Sequence, residues 1–302
     1  MNAKTIKFTN GNFQVAVFVD MENLAYRGVR FDRSGVFKSL KLGDFEFLGR
    51  WTKEDDCTFH DAIRGTVEEF FPIGYDSAKV GEGFLKIGVG ILKKDNDEPY
   101  DFRKKYDLID EGVRSVKMLE NGVEYTHKIS ASSYNLEYKK TILVDLKQNT
   151  MHIDHTIINN GDAKLSTNVY NHNFFTLSSP MSANIVVETP FVWDGDEIKG
   201  IGKYVSLNGK ITKMLTAIPE GDCALIKNIK TSNSVEDYNI SVKRTVGETC
   251  YSANFISNRP IAKMNFWTCT TCVCPEPFTD INVEGGKSFD WRISYKFSES
   301  KV

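Results

Sequence analysis

The chain has 302 residues, 41% of them hydrophobic and 12% aromatic, which is enough for a packed core. All-β sandwiches of this length are often one domain, and residues 1–302 are read as one. With 38 basic and 40 acidic residues the formal net charge is -2, so nucleic acid and anionic membrane surfaces, which call for a basic excess, are not expected partners.

The N-terminal segment Met1–Phe8 has no apolar run of the kind a secretory leader carries. The run Val15–Val19 is too short to span a bilayer. A cytoplasmic protein is expected, with export after removal of a leader left open. Residues 12–20 alternate and read as a strand. In Tyr26–Phe37, Gly28 and Gly35 punctuate turns or bulges between short strands. Arg27, Arg30 and Arg33 crowd around Asp32 there and need partners, either one another at the surface or a ligand. Gly43–Trp51 reads as a further hairpin arm.

Residues 52–80 are the least regular, with a short helix expected from near Asp61. His60, Asp61, Arg64, Glu68 and Glu69 stand among aromatic residues there, as in a loop that closes a cleft. Phe84–Leu92 reads as a buried strand whose Gly88 and Gly90 leave room for close backbone approach. Residues 94–107 are charged and read as an exposed loop. From about residue 112 short alternating runs follow one another, separated by turn signals such as Asn121-Gly122. Tyr138–Leu146 and Met151–Ile158 are two of them. In the last, Ser288–Phe297, one face collects Phe289, Trp291, Ile293, Tyr295 and Phe297. No helical period is sustained and no internal repeat is found. The pattern is that of an all-β sandwich of large sheets.

The run Leu165–Leu177 stands out. As a strand it sends Leu165, Thr167, Val169, Asn171, Asn173, Phe175 and Leu177 to one face. The other face carries Ser166, Asn168, Tyr170, His172, Phe174 and Thr176. Such a row suits a polar ring with apolar faces, such as a sugar; a solvent-facing strand of an antiparallel sheet is the other reading. A second candidate is Cys272-Val-Cys274-Pro-Glu276-Pro-Phe278. A residue before proline is held extended, so Cys272, Cys274 and Glu276 point to one side. Because proline donates no ladder hydrogen bond, Glu276 is expected at a strand end or edge. It is either a rigidly positioned carboxylate or the rim of a proline-rich turn. His172 and Glu276 are the right types for concerted proton transfer. His127, His152 and His155 read as structural. The cysteines at 57, 223, 250, 269, 272 and 274 lack the partner motif a structural zinc site needs, so no metal is expected and reduced thiols are.

Tyr170-Asn-His172-Asn-Phe-Phe175, followed by Glu276 between prolines and then Gly285-Gly-Lys-Ser-Phe-Asp-Trp291, resembles the galactose mutarotase (aldose 1-epimerase) superfamily. Tyr26–Gly35 and His60–Phe70 look like an uncharacterised bacterial branch of it. The resemblance spans about residues 20–297. It implies an antiparallel β-supersandwich of the galactose mutarotase-like kind and a small-molecule carbohydrate as partner. It also implies ring opening without a metal or cofactor: Glu276 takes the anomeric hydroxyl proton and His172 protonates the ring oxygen. Glu276 would raise the imidazole's pKa. The family's second histidine, in a His-Gly pair, is replaced by Arg64-Gly65, with His60 four residues earlier. Either Arg64 or His60 is then expected to hold ring hydroxyls, and Arg64 would favour an anionic sugar. Arg30, Glu69 and Tyr170 complete the expected substrate-binding set. Asp194 and Asp196 are candidates for the family's binding aspartate. A non-catalytic carbohydrate-binding protein on the same fold, or an enzyme that cleaves polysaccharides, are the alternatives. The oligomeric state is left open.

Overall fold

The computed structural model describes residues 3–54, 56–131, 134–176 and 184–302. Among these residues the strands form four antiparallel sheets, of ten, six, four and three strands. The centre of the ten-stranded sheet is, in spatial order, Asn239–Val246, Thr249–Ser257, Ser288–Lys301, Thr150–Asn159, Tyr134–Asp145 and Gly122–Ala131. The six-stranded sheet runs Asp196–Lys199, Cys223–Ile229, Lys263–Cys269, Val273–Val283, Leu165–Asn173 and Thr66–Phe70.

Alternation decides how the two large sheets meet. Ser288–Lys301 buries Trp291, Ile293, Tyr295 and Phe297 on one face, and Thr150–Asn159 buries Met151, Ile153 and Ile157. Val169, Phe175, Phe266 and Ile281 answer them from the six-stranded sheet, in the same apolar core. Phe70 packs edge-on against Trp291 at 6.2 Å, and the Phe175 ring lies tilted against Phe255 at 5.9 Å. Each such side chain, fully buried, contributes about 1.5–3 kcal/mol. The result is an antiparallel β-supersandwich. No helix among the described residues is long and apolar enough to cross a membrane.

Several expectations are corrected. No helix forms near Asp61: Ala62 N–H donates to Phe59 and Ile63 N–H to Asp61, giving turns. Phe84–Leu92 is not one strand but the hairpin of Gly83–Lys86 and Gly90–Lys93. Its turn needs Gly88, with φ 79°, because a Cβ there would stand 2.8 Å from that of Asp32. In Gly43–Trp51 the hairpin arm is only Phe45–Glu46, and Leu48 instead bridges to Phe175. The cluster around Asp32 is not a surface network, since Arg30, Asp32 and Arg33 are buried. The segment 94–107 is the largely exposed loop expected, although Tyr100 and Tyr106 pin it by packing with Tyr75 and Phe84. The strand foreseen to Leu177 ends at Asn173, and Leu177 lies outside the described residues.

Candidate active site

The site grows from a single register. Leu165–Asn173 pairs with Val273–Val283 as far as Tyr170 opposite Phe278, and Phe175 opposite Val273 continues the same register. His172 therefore lies directly across from Glu276. Pro275 and Pro277 cannot donate to the ladder at this point. The Asn173 side-chain amide donates to the Pro275 carbonyl at 2.8 Å, supplying a hydrogen bond where the ladder is interrupted. Glu276 is thus interior to the sheet, with Asn265 opposite it on its other side, rather than at the expected strand end or edge. Side chains at such cross-strand positions touch, and His172 Nε2 stands 3.2 Å from Glu276 Oε1.

The two faces of the Leu165–Asn173 strand divide as its alternation implies. Tyr170, His172 and Phe174 share the face turned away from the ten-stranded sheet. The His172 ring stacks on Phe174 at 3.9 Å, with Phe31 and Trp267 edge-on at 5.7 and 5.9 Å. This apolar nest sets the protonation. Burial, helped by the Arg30 charge, holds the His172 imidazole well below its ordinary value, with Asp61 opposing. Its Nδ1 is buried with no hydrogen-bond partner among the described residues, which further disfavours a cation needing an N–H there. The expected rise in the imidazole pKa is therefore reversed, because desolvation outweighs the neighbouring carboxylate. Burial also pushes Glu276 up to about 8, against the lowering pull of Arg30. Both charged forms are disfavoured, so at neutral pH the pair holds one proton between two buried groups.

Behind this pair runs a chain of alternating charge. Lys86 lies 3.7 Å from Glu69, whose other oxygen accepts from Arg30 Nε at 2.6 Å. Arg30 Nη1 pairs with Asp61, and His60 Nε2 meets the second Asp61 oxygen at 2.7 Å. Tyr170 ties the chain together: its hydroxyl donates to Glu69 and accepts from Arg30 Nη2 at 3.1 Å. The Arg30 guanidinium also lies under the Phe102 ring, 4.0 Å from its centroid. Burial lowers Lys86 to about 8.

These groups border a cavity of about 520 Å³, within the usual size of a small-molecule site. Its lining includes Arg30, His60, Asp61, Tyr170, His172 and Glu276, together with Trp51, Phe102, Arg103, Leu225, Lys227, Asn265 and Trp267. Of the expected residues, the cavity gathers His172, Glu276, Arg30, His60 and Tyr170. Glu69 is one layer behind, spent on Arg30, Tyr170 and Lys86. Arg64 does not reach the cavity, because its guanidinium donates to the Leu48 carbonyl beside a separate depression. Asp194 and Asp196 are also outside it, Asp194 being paired with Lys230 at 3.0 Å. Phe102 and Arg103, which the sequence reading did not single out, stand at the cavity on a loop that is exposed as its charge suggested; the aromatics Tyr100, Phe102 and Tyr106 were the signal. Trp267 and Asn265 follow from the strand next to Glu276. A larger hollow of about 790 Å³, near Lys4, Arg27 and Lys38, contains no acid–base pair.

No protein-family model and no curated protein matches the chain in sequence. Solved structures do match in fold. A candidate aldose 1-epimerase from Escherichia coli K12 superposes with TM-score 0.55 at 12% identity, over 99% of this chain and 100% of that one. A galactose mutarotase-like protein from Clostridium acetobutylicum gives 0.57 at 12%, over 100% and 96%. A galactose mutarotase related enzyme from Lactobacillus acidophilus gives 0.55 at 13%, over 99% and 98%.

Proposed function

Given that the chain has the galactose mutarotase-like fold, we propose that it interconverts the anomers of an aldose or aldose derivative by acid–base ring opening. The observation that carries this reading is the cross-strand contact of His172 and Glu276 at 3.2 Å on the wall of a sugar-sized, aromatic-lined cavity. Glu276, as carboxylate, takes the proton of the anomeric hydroxyl. The C1–O5 bond breaks with its electron pair going to O5, and His172 gives O5 a proton. The product is the open-chain aldehyde. Rotation about C1–C2 and the reverse proton transfers close the ring on the other face.

The protonation of the pair fits this cycle. Ring opening converts a carboxylate and an imidazolium into an acid and a neutral imidazole. Burial favours that neutral distribution, so the resting proton lies on Glu276, and it passes across the 3.2 Å contact to His172 before the ring opens. His60 and Arg30, held by Asp61 and Glu69, hold ring hydroxyls, and Tyr170 and Trp267 give the cavity aromatic surface for the apolar side of the sugar.

The test is exchange NMR on pure anomers of neutral, acidic and phosphorylated sugars. Acceleration over buffer is expected for at least one, and its absence for all would remove the reading. Sugar binding that persists without acceleration, and survives Glu276→Gln, would favour a carbohydrate-binding protein instead.

A further inference from the structure

All six cysteines are free thiols, and four of them gather in one place. Cys269, Cys272 and Cys274 are buried in one small apolar cluster with Phe31 and Phe174, and Cys223 packs against it. Cys223 and Cys269 also line a hollow of about 480 Å³. We propose that these two are a redox-active thiol pair, which a small disulfide of the glutathione type oxidises to a cross-strand disulfide on the wall of that hollow. The inference concerns thiols alone and does not depend on the anomeric chemistry above.

Register selects this pair. Cys223 lies opposite Cys269 in the ladder of Cys223–Ile229 with Lys263–Cys269, and Ala224–Thr268, Leu225–Trp267 and Ile226–Phe266 follow in step. In an antiparallel ladder, opposite residues either exchange both backbone hydrogen bonds or exchange none. The Cys269 N–H donates to the Cys272 carbonyl at 3.0 Å, on the other side of the strand. Its pairing with Cys223 is therefore of the non-hydrogen-bonded kind, with Cα atoms about 4.5 Å apart, inside the disulfide range of about 4.4–6.8 Å. In such pairs the Cβ atoms are at their closest, about 4.5 Å, where the cross-strand range meets that of a disulfide. Cys269 and Cys272 form a hydrogen-bonded pair, whose Cβ atoms stand further apart, so a bond between them is disfavoured.

Exposure orders the steps. Cys223 is half-buried, and Lys199 Nζ donates to its sulfur at 3.6 Å. Cys269 is 6% exposed, and its contact with Cys272 and its burial hold the thiol protonated. Cys223 is the entry thiol. As thiolate it attacks one sulfur of the small disulfide, whose S–S bond breaks, and the leaving thiolate takes up the proton that Cys223 gave to solvent. The Cys269 sulfur then attacks Cys223 Sγ, and the second small thiol leaves with the Cys269 proton. Two protein thiols and one small disulfide become one protein disulfide and two small thiols. The new bond ties the strand of Leu225 to that of Trp267, two residues that line the candidate site.

The experiment incubates the folded protein with glutathione disulfide, alkylates the remaining thiols and maps the digest by mass spectrometry. A cross-link between the Cys223 and Cys269 peptides, reversed by dithiothreitol, is expected. Cys269→Ser should stop at a glutathionyl adduct on Cys223, and Cys223→Ser should leave Cys269 unmodified. Four results overturn the proposal: neither thiol lost in the wild type, a wild-type adduct on Cys223 that never passes to Cys269, a bond from Cys269 to Cys272, or oxidation of Cys269 that continues in Cys223→Ser. Should Cys269→Ser fail to fold, the wild type and Cys223→Ser, altered only at a half-buried position, decide between these outcomes.

Discussion

The strands Thr66–Phe70 and Leu165–Asn173 carry polar residues on both faces, and the two faces meet opposite fates. Toward the cavity, Glu69, Tyr170 and His172 join Arg30, Asp61 and Glu276. Toward the ten-stranded sheet, Glu68 and Asn171 join Asp32, Lys140, Tyr138 and His155. Lys140 pairs with Glu68 and lies 3.7 Å from Asp32. Asn171 donates to Glu68 at 3.1 Å, and Tyr138 meets His155 Nδ1 at 3.0 Å. Neighbouring residues thus build two buried ionic clusters back to back. One borders an open hollow and leaves a stacked imidazole, whose Nδ1 has no hydrogen-bond partner among the described residues, beside a carboxyl of raised pKa. The other is sealed between sheets, with its cation held by two carboxylates. Buried charge alone therefore does not mark a site; access together with an unmet proton demand does.

The contrast can be broken by substitution. The largest effect is expected on the open side: Glu276→Gln and His172→Gln should each lower mutarotation about 10²–10⁴-fold in exchange NMR. Glu276→Gln, which keeps the side chain's shape, should leave the urea unfolding midpoint near that of the wild type. On the sealed side, Lys140→Met leaves Asp32 and Glu68 buried together without their cation. It should cost about 3–5 kcal/mol of stability in urea titration, with little change in kcat for protein that remains folded.

The pH responses should also separate the clusters. On the open side kcat/KM should fall as pH rises through about 8, where Glu276 gives up the pair's one proton, and a pH–rate profile reads this directly. On the sealed side burial, helped by Lys140, holds the His155 imidazole well below its ordinary value. A depressed histidine contributes stability that is present above its unfolded value of about 6.5 and is lost as pH falls through the folded value. Denaturant midpoints measured downward from pH 7 should therefore decline, and less so in His155→Phe. The smallest effect is at the rim. Phe102→Ala removes the ring over Arg30, a contact worth about 0.5–2 kcal/mol, and should raise KM by two- to thirtyfold with kcat nearly kept.

Most strands were legible because alternation is a local property. Ser288–Lys301 shows its buried face in Trp291, Ile293, Tyr295 and Phe297 before any partner is known. The division of Leu165–Asn173 into a Tyr170–His172–Phe174 face and an Asn171–Asn173 face was legible for the same reason. Where turns carried the chain, local signals misled. The Gly88 turn read as a strand, because its positive φ answers to a close approach by Asp32 that no local pattern encodes. Arg64 looked like a ligand-binding cation, yet the Leu48 carbonyl claims it.

By itself, then, the sequence determined which side chains share a face and that His172 and Glu276 are chemically suited to exchange protons. Their meeting was decided by the tertiary structure, since register between strands about a hundred residues apart depends on both partners at once. So was their charge. A pKa in a protein is a property of the surroundings, and the rings and the guanidinium around this pair arrive from three separate stretches of chain, at Arg30–Phe31, Phe174 and Trp267.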